Sequence, residues 1–142
     1  EPQRLAGFRR AMREQGLSPD ANHLIQGYFT FESGMEAGLR LLTLPHRPTA
    51  IFAANDKMAL GVMAAARDLG LTIPGDVSIA GFDDTRAAQM GWPSLTTVHQ
   101  PVEDMCAAAA GMLISLAAGE PLREAARKLD FQIMPRASTA RI

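Results

Sequence analysis

Two adjacent carboxylates end an apolar run in "SIAGFDDTR", Ser78 to Arg86. Asp83 and Asp84 could hold a metal, exchange protons, bind a polar ligand or begin a helix. Hard cations take six or more oxygens. No EF-hand loop, HExxH or paired Cys–His spacing supplies such a set. His23, His46 and His99 are isolated along the chain and read as surface or loop residues. No GxSxG elbow, P-loop or GxGxxG occurs, and Cys106 sits in an apolar helical run away from any histidine. Neither a metal, a cofactor nor an enzyme is therefore expected.

The elements around these residues alternate between two apolar periods. Arg4–Gln15 reads as a helix carrying Leu5, Phe8 and Met12, stopped by Gly16 and Pro19. Leu24–Phe29 reads as a strand. Thr30 is placed to N-cap a helix that buries Met35, Leu39 and Leu42 and stops before Pro45. Thr49–Ala54 reads as a strand buried on both faces. Asn55 or Asp56 caps a helix closed by Gly70, and Val77–Phe82 is the next strand. A short helical piece reaches Met90, Leu95–His99 returns to a strand, and Pro101 opens an Ala-rich helix to Ala118. Lys128–Met134 is a last strand, followed by "PRASTARI" as a tail.

Strands alternating with helices imply an α/β fold with a mainly parallel, Rossmann-like sheet flanked by helices. The series opens on a helix, so the strand expected to feed it is absent and the sheet is incomplete. In such sheets ligands bind beyond the C-terminal strand ends. Phe29, Asn55, Asp56, Asp83, Asp84 and Gln100 all fall there. A flat apolar ring beside amides and carboxylates suits a sugar or a nucleobase. Capping alone accounts for one acidic or amide residue per helix start, though not for the second carboxylate at 83–84. Phe29 equally fits a core position.

The chain has 142 residues, 47% hydrophobic and 20% charged, with net charge −1 from 14 basic and 15 acidic side chains. That suits one modest domain. Arg9, Arg10 and Arg13 form a solvated helix face rather than a nucleic-acid patch. No apolar run reaches the roughly 18 residues of a membrane span. One cysteine cannot make an internal disulfide, and a reducing cytoplasm is the natural setting.

"RPTAIFAANDKMALGVMAAARDLGLTIPGDVSIAGFDDT", "PSLTTVHQP", "RLAGFRRAM" and "PRASTA" occur in this order and together resemble the LacI/GalR family of bacterial transcription regulators. The resemblance covers essentially the whole chain. It implies the effector-binding, type I periplasmic-binding-protein-like domain, with residues 1–99 forming most of its C-terminal subdomain. Residues 100–142 would give the other subdomain a crossover helix and strand, plus a tail. The family also implies a DNA-binding headpiece outside this chain, a homodimer, operator DNA as partner and a small-molecule effector in the inter-subdomain cleft. A sugar is the expected effector, with a purine as the competing chemistry. A periplasmic sugar-binding protein of a transport system is the alternative on the same fold.

By family correspondence, Arg4 binds effector hydroxyls or carboxylates and Phe29 stacks on the ligand. Asn55 contacts it, Asp83 accepts its hydrogen bonds, and Gln100 touches it from the hinge edge. Asp84 becomes a capping or structural partner. Leu60 and Trp92 are candidate dimer-interface residues, although a lone tryptophan also fits a core.

Overall fold

The computed structural model describes residues 2–121, 124 and 126–141. Its elements run α1 Pro2–Glu14, α2 Phe31–Leu42, β1 Ala50–Phe52, α3 Asp56–Asp68 and β2 Ser78–Asp83. There follow α4 Arg86–Met90, β3 Thr96–His99, α5 Val102–Ala117 and β4 Gln132–Met134. The four strands lie in chain order, with β1, β2 and β3 parallel and β4 antiparallel to β3. The expected α/β class and parallel sheet are therefore present.

Local sequence sets the element ends. The Thr30 hydroxyl accepts from Ser33 N and starts α2. Asn55, rather than Asp56, caps α3: its Oδ1 accepts from Met58 N at 2.9 Å. Gly70 follows α3 at φ +71, the left-handed conformation that lets a chain leave a helix without a Cβ clash.

One expected strand is not a strand. Leu24–Phe29 follows a 3-10 turn, Ala21–His23, and joins no ladder among the described residues. The apolar pattern was sound, but a ladder needs a neighbour. Between this segment and the outer edge of β1 lies a cavity of about 800 Å³, lined by Leu24, Ile25, Ile51 and Ala53 and roofed by Phe8 and Met12 of α1. Among the described residues, β1 has β2 as its only strand neighbour.

The core lies between β2 and the α2–α3 pair. Ile79, Val77 and Leu95 are fully enclosed, packed with Val62, Met63 and Leu41. Two glycines bring the helices into backbone contact. A Cβ on Gly34 would collide with the Met58 backbone, and one on Gly61 with the backbone at Phe31 and Met35.

The final residues are a structural part rather than a loose tail. Ser138 is fully buried. Its hydroxyl donates to Ile79 O at 2.6 Å and accepts from Thr96 N at 2.8 Å. Its carbonyl accepts from Ile79 N, and its own N–H donates to Ser94 O. The Ser78 hydroxyl is bonded in turn to the Ala140 backbone. The segment thus fills the space where β2 has begun and β3 has not. By contrast, α5 buries no residue, and its Leu113 and Ile114 are exposed, as is Ile133 of β4.

Gly61→Ala should destabilise the chain by about 1–3 kcal/mol, because overpacking at backbone contact outweighs the gain in helix propensity. Gly111, inside α5 with open space around its Cβ position, is the control. Gly111→Ala should be neutral or stabilising by up to about 1 kcal/mol. Urea unfolding midpoints of the two variants check both values.

Candidate functional site

Phe29, Asn55, Asp83, Asp84 and Gln100 follow the ends of successive chain segments along one sheet edge, and contacts link them into a continuous row. The Asn55 side-chain amide donates to Phe29 O at 3.1 Å. On the next residue back, Ala54 O accepts from Arg4 Nη1 at 2.5 Å. The Arg4 guanidinium lies 3.9 Å above the Phe82 ring, within range of a cation–π attraction. Asp83 follows, and its Oδ1 accepts from Gln100 Nε2 at 2.6 Å. All five residues expected to meet the ligand are thereby brought together.

Among the described residues, three non-glycine residues have positive φ, and all lie on this edge: Phe29 at 62°, Asp83 at 119° and Asp84 at 57°. Such conformations cost roughly 1–3 kcal/mol each and persist where the surroundings hold them. Around Phe29 the holders are visible. Asn55 binds its carbonyl, and the Ser33 hydroxyl accepts from Tyr28 N at 3.0 Å. Phe29 is 42% exposed, which removes the core reading.

The two carboxylates are chemically distinct. Burial pushes the Asp83 carboxyl above the ordinary carboxylate value; the Gln100 hydrogen bond and the Arg4 charge pull it back, and the Asp56 charge adds to the rise. Asp84 is also desolvated, but the Arg136 hydrogen bond and charge, together with His99, carry it below the ordinary value. Arg136 Nη2 donates to Asp84 Oδ1 at 2.5 Å, and His99 Nδ1 lies 3.1 Å from Oδ2. An ionised carboxylate only accepts, so the His99 proton in this contact sits on Nδ1. Asp84 is thus structural, but it caps nothing: Thr85 occupies the N-cap of α4.

Several of these roles were invisible along the chain. His99 read as an isolated surface residue, whereas it lies on β3 opposite Asp83 and against Asp84. Arg136 lay in the supposed tail, yet Nη1 also donates to Leu95 O at 2.8 Å. Asp56 read as a possible cap; its two oxygens are instead engaged by Thr97 and Thr85. Among the described residues no group of three or more His, Cys, Asp or Glu could hold a metal ion. No helix among them is long and apolar enough to cross a membrane.

The family model for a periplasmic binding protein-like domain matches residues 1–139. The chain belongs to that family. It is 45% identical over 111 residues to the HTH-type transcriptional repressor PurR of Klebsiella pneumoniae (strain 342), covering 78% of this chain and 33% of that protein. Among solved structures, the transcription regulator CcpA of Lactococcus lactis superposes with a TM-score of 0.91 at 29% identity, over 98% of this chain and 51% of that one. A transcriptional regulator CelR–cellobiose complex gives 0.90 at 34% identity, over 95% of this chain and 41% of that one. The chain therefore spans about a third of its curated relatives' length and about half of the solved ones. These relatives are regulators rather than enzymes, and the matched region is the effector-binding domain of LacI-family repressors.

Leu60 and Trp92, the candidate interface residues, are neighbours in the fold. Leu60 is partly buried against the core, with its side chain beside Gly91. Arg67 of α3 donates to Trp92 O at 3.1 Å. Trp92 itself is 87% exposed, so the core alternative for it is wrong.

Arg136→Met should destabilise the fold by about 1–3 kcal/mol, between the limits for exposed and buried ion pairs. The sign with pH follows from Asp84. Its lowered pKa contributes stability above the unfolded carboxylate value, lost as pH falls through the folded one. The difference between wild type and variant should be largest near neutral pH and shrink below about pH 4. Denaturant unfolding across that range checks it.

Proposed function

We propose that this chain is the effector-sensing part of a longer DNA-binding transcriptional repressor and that its effector is a sugar. The observation carrying this reading is the row Phe29–Asn55–Arg4–Asp83–Gln100 at one edge of a parallel sheet. Sugar hydroxyls both donate and accept. Asp83 offers the acceptor, Arg4 the donor, and Gln100 has a carbonyl oxygen as well as its amide protons. Phe29 supplies a flat apolar surface for the C–H face of a sugar ring. The similarity to a regulator solved with cellobiose supports the same class of ligand.

The relatives' extra length provides room for what this chain does not contain. That length would hold the DNA-reading headpiece and the opposite wall of the effector crevice. It would also cover the apolar faces of α5 and β4 and fill the cavity beside β1. Operator binding places the protein in the cytoplasm, and the Leu60–Trp92 region is the surface on which two copies would meet. Effector binding would act through differential affinity for two hinge states, the only way a ligand can shift such an equilibrium. The relatives' identity as regulators favours this over a transport binding protein on the same fold.

The test is calorimetric titration of the full-length parent with a panel of mono- and disaccharides and, as the competing class, purine bases and nucleosides. A saccharide should bind, and Asp83→Asn should weaken it tenfold or more, since a hydrogen bond to a charged group contributes about 1.5–3 kcal/mol and 1.4 kcal/mol is one decade. Binding of purines alone would replace the sugar reading. Unchanged affinity in the variant would remove Asp83 from the site.

A further inference from the structure

The buried carboxylate of Asp56 does not cap its own helix, because Asn55 already accepts from Met58 N. It stands at the first helical position of α3 with 0% exposure. A carboxylate in a first turn is favourable to the helix dipole, but both its oxygens point to other elements. Oδ1 accepts from the Thr97 hydroxyl of β3 at 2.5 Å, and Oδ2 accepts from Thr85 N at 2.7 Å. The same Thr97 oxygen accepts from Asp84 N at 3.4 Å. On β2, a Cβ at Gly81 would come within 2.5 Å of Asp56 Oδ1, so the carboxylate sits where any larger residue would intrude.

These attachments surround one short turn. Gly81 lies two residues before Asp83, Asp84 N is held through Thr97, and Thr85 N is held directly. Between them, Asp83 and Asp84 carry the positive φ angles. We propose that Asp56 is a positioning residue that locks the Asp83–Thr85 turn in its left-handed conformation and so presents the Asp83 carboxylate to the effector crevice. The effector part of this statement rests on the reading of Asp83 given above; the positional part does not.

The charge of Asp56 gives the arrangement a second consequence. The groups facing Asp83 are Arg4 from α1, Asp56 from α3, His99 as its register partner on β3, and the neighbouring Asp84 with its Arg136 partner. Asp56 is the member whose negative charge raises the proton affinity of Asp83. An asparagine there can keep both contacts, its oxygen toward Thr85 N and its amide toward the Thr97 oxygen, while removing the charge.

The experiment is NMR of the full-length parent without ligand, reading the Asp83 carboxyl carbon against pH and the HN–Hα couplings of Asp83 and Asp84. Asp56→Asn should move the Asp83 titration to lower pH with the couplings retained. Thr97→Val, which removes one anchor, should shift the couplings toward extended values, and Thr97→Ser should restore them. A purely stabilising role would lower the unfolding midpoint and leave these signals in place. Folded variants with an unmoved Asp83 titration and unmoved couplings would overturn the proposal. If Asp56→Asn does not fold, the Thr97 pair decides alone. Neither readout involves an effector, so a failed sugar assignment leaves this result standing and a failed Asp56 assignment leaves the sugar result standing.

Discussion

A buried hydroxyl, that of Ser138, must serve two strands at once, and the path of the chain depends on it. β2 begins two residues before its pairing with β3, so its first backbone groups need partners from elsewhere. The buried backbone tolerates few orphans. The 138–140 segment supplies those partners, taking Ile79 N and giving to Ile79 O while also accepting from Thr96 N. The chain can therefore leave the sheet after β3 to build α5, return antiparallel to β3 as β4, and close the start of β2 with the 138–140 segment. The part that leaves buries no residue, and on the way back Ser138 is fully enclosed.

That closure sets the stage for the polar edge at the other end of the strands. With the lower ends of β2 and β3 stitched, their upper ends carry Asp83–Asp84 and His99–Gln100, with Asp83 in register with His99. The two carboxylates then divide their duties by surroundings alone. Asp84, between Arg136 and His99, is held ionised as part of the frame. Asp83, desolvated and sharing a hydrogen bond with one neutral amide, keeps acceptor capacity in reserve.

Much of this was legible along the chain, and the exceptions have a common cause. Periodicity and end signals located the helices, the three parallel strands and the Thr30 cap, and narrowed the α3 cap to Asn55 or Asp56, because those depend on residues three or four apart. The strand ends then pointed to Asn55, Asp56, Asp83, Asp84 and Gln100, while Phe29 was reached through a segment that is not a strand. What could not be read were roles assigned by residues some 15 to 60 positions away. His99 needs Asp84, Asp56 needs Thr97, and Ser138 needs Ile79. Leu24–Phe29 failed in the opposite sense: its pattern is that of a strand, but no ladder forms across the cavity beside it.

The neighbours Asn55 and Asp56 have a consequence for how this scaffold could diversify. One residue ties α3 to the Phe29 backbone, and the next ties α3 to the turn after β2. Phe29 and Gln100 carry no comparable obligation in their side chains beyond the single amide–carboxylate bond. If the proposed effector site is right, exchanges at those two positions would alter what it accepts while the frame stays intact. An insertion between Asn55 and Asp56 would break two joints at once. On the proposed reading, Asp56 serves architecture and Phe29 recognition, a separation that would let ligand preference drift without a search for a new fold.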